Sequence, residues 1–363
     1  MKIVWIVPGF SSDEDDWCIP ALLDLARALS QHCDLHIVAL QYPYRRDMYR
    51  IGQATVHSVG GSNRGGVFTA SIWREAARVI GRLDFDVLHA FWVYEPGVLA
   101  AFFKYRAPIV ISLAGGELID LPQIGYGLAG RLHVRMMMRW ALRRANTITA
   151  GSHSLLEIGR RFVRQGNFVF APFGVDLKRW PPPGIRSQSR VLLNVGSLEP
   201  VKGQATLLRA FRQVADECPA ARLALAGKGR LDAALRRLAS ELRLSGRVDF
   251  HGEVSHHRLP DLYRDATLFV QSSLHEAQGM APLEAAACGL PIVGTSVGAL
   301  ADLAPDAAVA SPPGDPVRLA QAILSVLDDP ARQRMLSESA RARVEAVYSL
   351  EAAVSRFEML YRG

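Results

Sequence analysis

Two periodicities alternate along this chain. Short runs of branched and aromatic apolar residues, at 3–7, 35–39, 87–90, 109–113 and 147–150, have the length and continuity of strands buried on both faces. Between several of them lie longer stretches, such as 19–31 and 131–144, in which apolar side chains return every three or four positions, the spacing of one helix face. At 178–189 the pattern breaks: three successive prolines, a glycine and polar residues predict a stiff, exposed linker. The alternation then resumes, with strands expected at 191–195, 222–226, 248–250, 268–271 and 291–294, a weaker one at 308–310, and helices at 204–217 and 231–242. Residues 315–362 read as helices, with Ser349 as an N-cap. The pattern predicts an α/β protein of two doubly wound Rossmann-like domains, at 1–177 and 190–345, followed by a C-terminal helix at 346–363. Two such domains facing each other leave a cleft at the carboxyl ends of their sheets, where ligands bind in open α/β folds.

The length of 363 residues agrees with two domains of ordinary size. With 49% hydrophobic and 21% charged residues, the chain is neither intrinsically disordered nor fibrous. The formal charge of +7 favours anionic partners without choosing among phosphorylated substrates, nucleic acid and anionic membranes. Four scattered cysteines with no CxxC pair argue against zinc and for a reduced, cytoplasmic chain. The opening MKIVWIVPGF runs straight into the acidic stretch Asp13 to Asp16, and so reads as a first strand and not as a signal peptide. No apolar run reaches 18 residues; Glu95 and Pro96 interrupt the longest candidate.

Candidate chemistry concentrates at residues 273–294, SLHEAQGMAPLEAAACGLPIVG. Glu276 is expected in a loop after the 268–271 strand, and Gly279 and Pro282 to open a helix with Pro282 in its first position. The free backbone N–H groups at Met280 and Ala281 then make a seat for a phosphate. Glu284 is expected in the first turn, either as a helix-dipole partner or as a ligand group. In the first domain, Gly115, Gly116 and Glu117 follow a strand; they line the cleft, or form a tight turn.

The 273–294 segment resembles the signature of retaining nucleotide-sugar glycosyltransferases of the GT-B fold, family four. Further stretches are similar to that family in the same order: PFGVD at 172–176 before the hinge, VGSLEPVKG at 195–203 as the phosphate segment, LAGKG at 225–229 as the glycine turn, and VDFHGEV at 248–254 as the base-contacting loop. The likeness covers most of residues 145–300 and thins in the first 100. It implies a catalytic pair, Glu276 on the sugar hydroxyls and Lys202 on the diphosphate. It also implies donor-binding roles for Glu284 on the ribose, for Gly279, Met280 and Ala281 at the diphosphate, and for Ser197, Gly227 and Val254. The implied reaction moves a sugar from a nucleotide-diphosphate donor to a hydroxyl of a glycan, lipid-linked or small-molecule acceptor. It proceeds with retention and without a required metal, and the last helix crosses back to the first domain. The sequence also departs from the family pattern. Ser197 stands where an arginine is frequent, Ala114 where a histidine is, Ala277 and Gln278 follow the first acid, and the first loop offers only Gly9. These departures keep open a non-catalytic sugar-nucleotide-binding or scaffold protein on the same fold.

Other features compete for attention. Asp84 and Asp86 have a DxD spacing but directly precede a strand, so a turn is the simpler reading. Asp13 to Asp16 reads as a solvated acidic loop or as helix N-terminal acids. His256 and His257 lack matching ligands and are expected at the surface. Arg131, Arg135, Arg139 and Arg143 recur every fourth residue, and residues 127–180 hold ten Lys/Arg against Glu157 and Asp176. That helix is either an ordinary amphipathic helix with a solvated arginine face or a peripheral contact with the anionic inner face of a membrane. No nucleic-acid motif accompanies the charge.

Overall fold

A computed structural model describes residues 1–61, 70–182 and 189–363. The chain divides into two compact units, Met1–Gly174 with Leu350–Gly363, and Val175–Ser349. The expectation for 178–189 falls in part on residues 183–188, outside the described residues. Where the structure does describe that stretch it corrects the expectation of exposure. Trp180 is 1% exposed, its ring edge-on to Tyr263 and His256 of the second unit.

The first unit holds strands β1 (Lys2–Gly9), β2 (Asp34–Tyr42), β3 (Arg46–Ile51), β4 (Ala54–Val59), β5 (Val87–Phe91), β6 (Ile109–Leu113), the short β7 (Asp120–Leu121) and β8 (Tyr126–Gly127), β9 (Thr147–Ala150) and β10 (Phe168–Phe170). Its helices are α1 (Pro20–Leu29), α2 (Ala70–Arg82), α3 (Val98–Ala101), α4 (Leu132–Arg144) and α5 (His153–Phe162). The main sheet runs β10-β9-β6-β5-β1-β2-β4-β3, parallel throughout except for the β3–β4 pair at its edge. Central strands such as β1 and β6 are buried on both faces, which is why they read as unbroken apolar runs.

The second unit is a six-stranded parallel sheet, β11 (Val191–Val195), β12 (Arg222–Ala226), β13 (Val248–Gly252), β14 (Leu268–Gln271), β15 (Ile292–Thr295) and β16 (Val309–Ser311). Its helices are α6 (Gln204–Glu217), α7 (Asp232–Glu241), α8 (Leu259–Asp265), α9 (Met280–Ala287), α10 (Gly298–Leu303), α11 (Pro316–Leu327) and α12 (Pro330–Arg343). The strand order β13-β12-β11-β14-β15-β16 is 3-2-1-4-5-6 when counted within the unit. Chain direction across the sheet therefore reverses between β11 and β14, and the crevice beyond their carboxyl ends is the expected ligand position. The α/β class and the two Rossmann-like units agree with the sequence pattern.

The last helix, α13 (Leu350–Arg362), belongs to the first unit and packs beside α1. It buries Ala353, Phe357 and Tyr361 in the core formed by β1 and α1. A polar chain runs through this core. The Trp5 indole N–H donates to the Tyr361 hydroxyl (3.0 Å), which lies 2.6 Å from His89 Nδ1. His89 Nε2 lies 2.7 Å from Ser112 Oγ, itself 2.6 Å from Thr149 Oγ1. Complete burial pushes His89 down to about 3 and holds it as a neutral imidazole.

Candidate functional site

The strongest constellation in the second unit lies at the switch point between β11 and β14. Strand β14 ends at Gln271 and the chain passes through a loop carrying Ser273 and Glu276 before entering α9. On the neighbouring strand, β11 leads into a single 3-10 turn, Pro200–Lys202, closed by Gly203 in the left-handed conformation (φ +66°). The turn aims Lys202 across the crevice, where its Nζ lies 2.7 Å from Glu276 Oε1. The Ser273 hydroxyl donates to the same oxygen at 2.7 Å. Ser272 fixes the turn by donating to the Lys202 carbonyl (2.9 Å). Gly279, Met280, Ala281 and Asn194 line the same recess.

Helix α9 starts earlier than expected. Gly279, at φ +85°, is its N-cap, so Met280 is the first helical residue and Pro282 the third. A proline is accepted there because the first-turn N–H groups have no intrahelical acceptor anyway. The N–H groups of Gly279, Met280 and Ala281 face the recess end of the helix, and the half-buried backbone there leaves them open to a ligand. The shift also corrects the position of Glu284, which lies beyond the first turn. It is 8% exposed; Tyr263 donates to its Oε2 at 3.0 Å and His256 Nε2 stands 3.6 Å from its Oε1. Burial and the adjacent Glu284 charge push the Tyr263 hydroxyl well above its ordinary value, so it stays a donor. His256 is thus largely buried, with its side chain 10% exposed, and is no surface residue; neighbouring His257 is exposed.

Ser197, Gly227 and Val254 come together in a second recess at the carboxyl ends of β11, β12 and β13, beside Lys228, whose ammonium lies 2.6 Å from Glu253. Gly227 adopts φ +147°, and a Cβ there would sit 1.9 Å from the Gly196 carbonyl oxygen. That oxygen is backbone and cannot swing aside. Gly227→Ala is expected to cost about 2 kcal/mol or more, lowering Tm by roughly 4–8 °C. Gly81→Ala, in an open position on α2, is expected to raise Tm instead. Thermal unfolding of the two variants beside the parent checks both.

In the first unit, Gly115 and Gly116 pack against side chains of that same unit. Cβ atoms on them would fall 2.6 Å from Trp92 Nε1 and 2.2 Å from the Tyr126 ring. Glu117 is 5% exposed and accepts from the Val93 N–H (3.2 Å); burial pushes its carboxyl up. Trp92, next to the switch point of this sheet, holds φ +71°, a conformation rare for a residue with a side chain.

The acidic decoys have structural partners. Asp84 and Asp86 bind the Lys2 ammonium and backbone N–H, both at 2.8 Å. Glu14 and Asp16 tie the 13–16 loop to Arg27 and Tyr42, and α1 has no acid in its first turn. Among the described residues no group of three or more His, Cys, Asp or Glu is gathered to hold a metal ion. No described helix is long and apolar enough to cross a membrane. Ser273, Tyr263 and Lys228 were not singled out as site residues, although Ser273 opens the 273–294 signature and Lys228 lies inside the LAGKG turn; His256 was noticed but expected at the surface.

Comparison with known proteins follows the same division. The family model described as Glycosyltransferase Family 4 matches residues 21–179, and that described as Glycosyl transferases group 1 matches 179–343. The chain is 32% identical over 219 residues to the GDP-mannose-dependent monoacylated alpha-(1-6)-phosphatidylinositol monomannoside mannosyltransferase of Corynebacterium glutamicum, covering 55% of this chain and 57% of that protein. It is 26% identical over 303 residues to the N-acetyl-alpha-D-glucosaminyl L-malate synthase of Bacillus anthracis, covering 78% and 76%. Among solved structures, sucrose-phosphate synthase from Thermosynechococcus elongatus superposes with a TM-score of 0.82 at 20% identity, over 100% of this chain and 98% of that one. Anabaena HepE, solved with UDP and glucose, gives 0.77 at 17% identity over 100% of both. Two adjoining family matches run from residue 21 to residue 343, through both Rossmann-like units, and the chain belongs to the group 1 glycosyltransferases of the GT-B fold.

Proposed function

We propose that this protein transfers a sugar from a nucleotide-diphosphate donor to a hydroxyl acceptor, with retention of anomeric configuration and no required metal. One observation carries the proposal: Lys202, Glu276 and the open N-terminus of α9 meet at the switch point of the second sheet. When the anomeric C–O bond breaks, its electron pair stays on the diphosphate while positive charge grows on the sugar ring. An ammonium and oriented N–H groups at Gly279, Met280 and Ala281 stabilise the leaving charge, and the Glu276 carboxylate orients the sugar hydroxyls and steadies the ring. Lys202 leaves Glu276 for the diphosphate as the donor enters. The Ser197, Gly227 and Val254 recess takes the nucleoside, and Glu284, held by Tyr263 and His256, takes the ribose hydroxyls. Lys228 supplies a second cation in the recess where Ser197 replaces the family's frequent arginine.

The donor half is assigned to residues 190–345. The acceptor half is assigned to residues 1–177 with 346–363, where Gly115, Gly116 and Glu117 are its candidates. Four free cysteines support a cytoplasmic setting. The names of relatives include GDP-mannose with a lipid acceptor and, for HepE, UDP with glucose; both nucleotides are therefore donor candidates, and lipid-linked or small hydroxyl compounds are acceptor candidates.

Thermal unfolding with UDP, GDP and ADP tests donor binding. At a hundredfold excess over Kd the right nucleotide is expected to add about 2.7 kcal/mol, or roughly 5–10 °C. A flat response to all three nucleotides and their sugars sinks the proposal. Ala114 and Ser197 favour a second reading, a binder without turnover; a clear thermal shift with no sugar transfer would select it.

A further inference from the structure

We propose that the outer face of α4, with the end of α3, docks on an anionic lipid surface. The inner face of α4 is fully used: Val134, Met138, Ala141 and Leu142 are buried in the first unit. The outer face nevertheless carries large apolar side chains in water. Leu132 is 71% exposed and Met136 63%. Beside them, Phe102 at the end of α3 is 62% exposed, its ring 5.0 Å from that of Trp140, and Tyr105 is 89% exposed. The Arg144 guanidinium lies 5.4 Å over Tyr105 and 5.2 Å over Trp140, joining the two elements into one patch.

Arginines interleave with these residues. Positions 132, 136, 139 and 143 are three or four apart and share one strip of the helix. None of Arg131, Arg135, Arg139 and Arg143 has an ion pair among the described residues. The two acids between residues 127 and 180 are already taken, Glu157 by Arg160 and Asp176 by Arg179. An apolar strip bracketed by unpaired cations matches a leaflet whose phosphates lie a few ångström above its acyl chains. Leu132 and Met136 enter the apolar layer, arginine stems lie along it with their heads at the phosphates, and Tyr105 and Trp140 sit at the boundary. An RNA backbone has phosphates but nothing for Leu132 and Met136. A second copy of this face would bring its own arginines against these, so self-association is opposed. The docking surface belongs to the first unit and the donor site to the second, so its failure leaves the donor site untouched.

Co-sedimentation of the whole protein with vesicles tests it, using phosphatidylcholine alone against phosphatidylcholine with about 30% phosphatidylglycerol at low and high salt. Binding to the mixed vesicles only, weakened by salt, is expected. Each arginine near such a surface is worth about fivefold in partitioning. The triple variant Arg131→Ser/Arg135→Ser/Arg143→Ser should therefore lose about a hundredfold. The double variant Leu132→Ser/Met136→Ser should lose about tenfold or more. Both should keep the parental Tm and the nucleotide-induced shift, because every substituted side chain is exposed. Equal binding to uncharged vesicles, full binding by the double variant, or an absence of vesicle binding with RNA retention or dimer formation in its place would each overturn the proposal.

Discussion

Replacing Lys202 by methionine is expected to lower the turnover number for sugar transfer by about 10²–10³, the usual loss when one charge-stabilising donor is removed from a site built around a departing anion. Lys202 Nζ stands 2.7 Å from Glu276 Oε1, so protein groups by themselves hold the cation at the recess. The single turn ending at Gly203 supports that position. A Cβ there would lie 2.1 Å from the Ser272 carbonyl, so backbone holds backbone on both sides of the crevice. Lys202→Arg should recover part of the rate, because charge is restored with a different reach. Turnover and donor KM measured separately distinguish a role at the leaving group, which lowers turnover, from simple donor attraction, which raises KM alone. A methionine variant with undiminished turnover would remove Lys202 from the chemistry.

Acid is expected to destabilise the first unit through His89. Above its ordinary value of 6.5 the imidazole is neutral whether the chain is folded or not, and it adds no pH dependence. Below 6.5 the unfolded chain takes up a proton that the folded chain refuses until about pH 3. Stability therefore falls as pH drops through that window, by about 1.4 kcal/mol per unit, and by about 2.7 kcal/mol at pH 4.5. Among the described residues no charged side chain is seen against the ring, and burial is the cause of its shift. Its neighbours are the Tyr361 hydroxyl, Ser112 and the rings of Trp5, Phe91 and Phe357. His89→Gln keeps hydrogen-bonding groups without the titration. Its stability, measured between pH 7.5 and 4.5, should decline less steeply than the parent's. Parallel declines would show that His89 is not the acid-sensitive group.

What could be read from the sequence follows burial. Strands β6, β9, β11, β12 and β14 were legible to the residue because most of each strand is buried and, apart from Asn194, Arg222 and Gln271, every position is apolar or small. The β3–β4 hairpin was not read at all. Arg46–Ile51 exposes most of its side chains and takes its place through pairing with β4, so burial leaves no pattern to read. The start of α9 was misread by two residues because the proline rule favours the first helical position, whereas Gly279 with a positive φ sets the cap upstream. Glu276, Glu284 and Lys202 stood out through family resemblance. Their meeting depends on β11 and β14 lying side by side although β12 and β13 intervene in sequence. The grip of Tyr263 and His256 on Glu284 comes from α8 and the loop before it, and local periodicity carries no information about such a long-range contact.

Because α13 returns to the first unit, the second is in effect spliced into the first between Gly174 and Leu350. During vectorial synthesis the interior segment has all its strands available while the surrounding one still lacks Phe357 and Tyr361. The ribosome thus delivers the later unit ready to close first, and the earlier one must wait, with the underside of β1 uncovered, until α13 emerges.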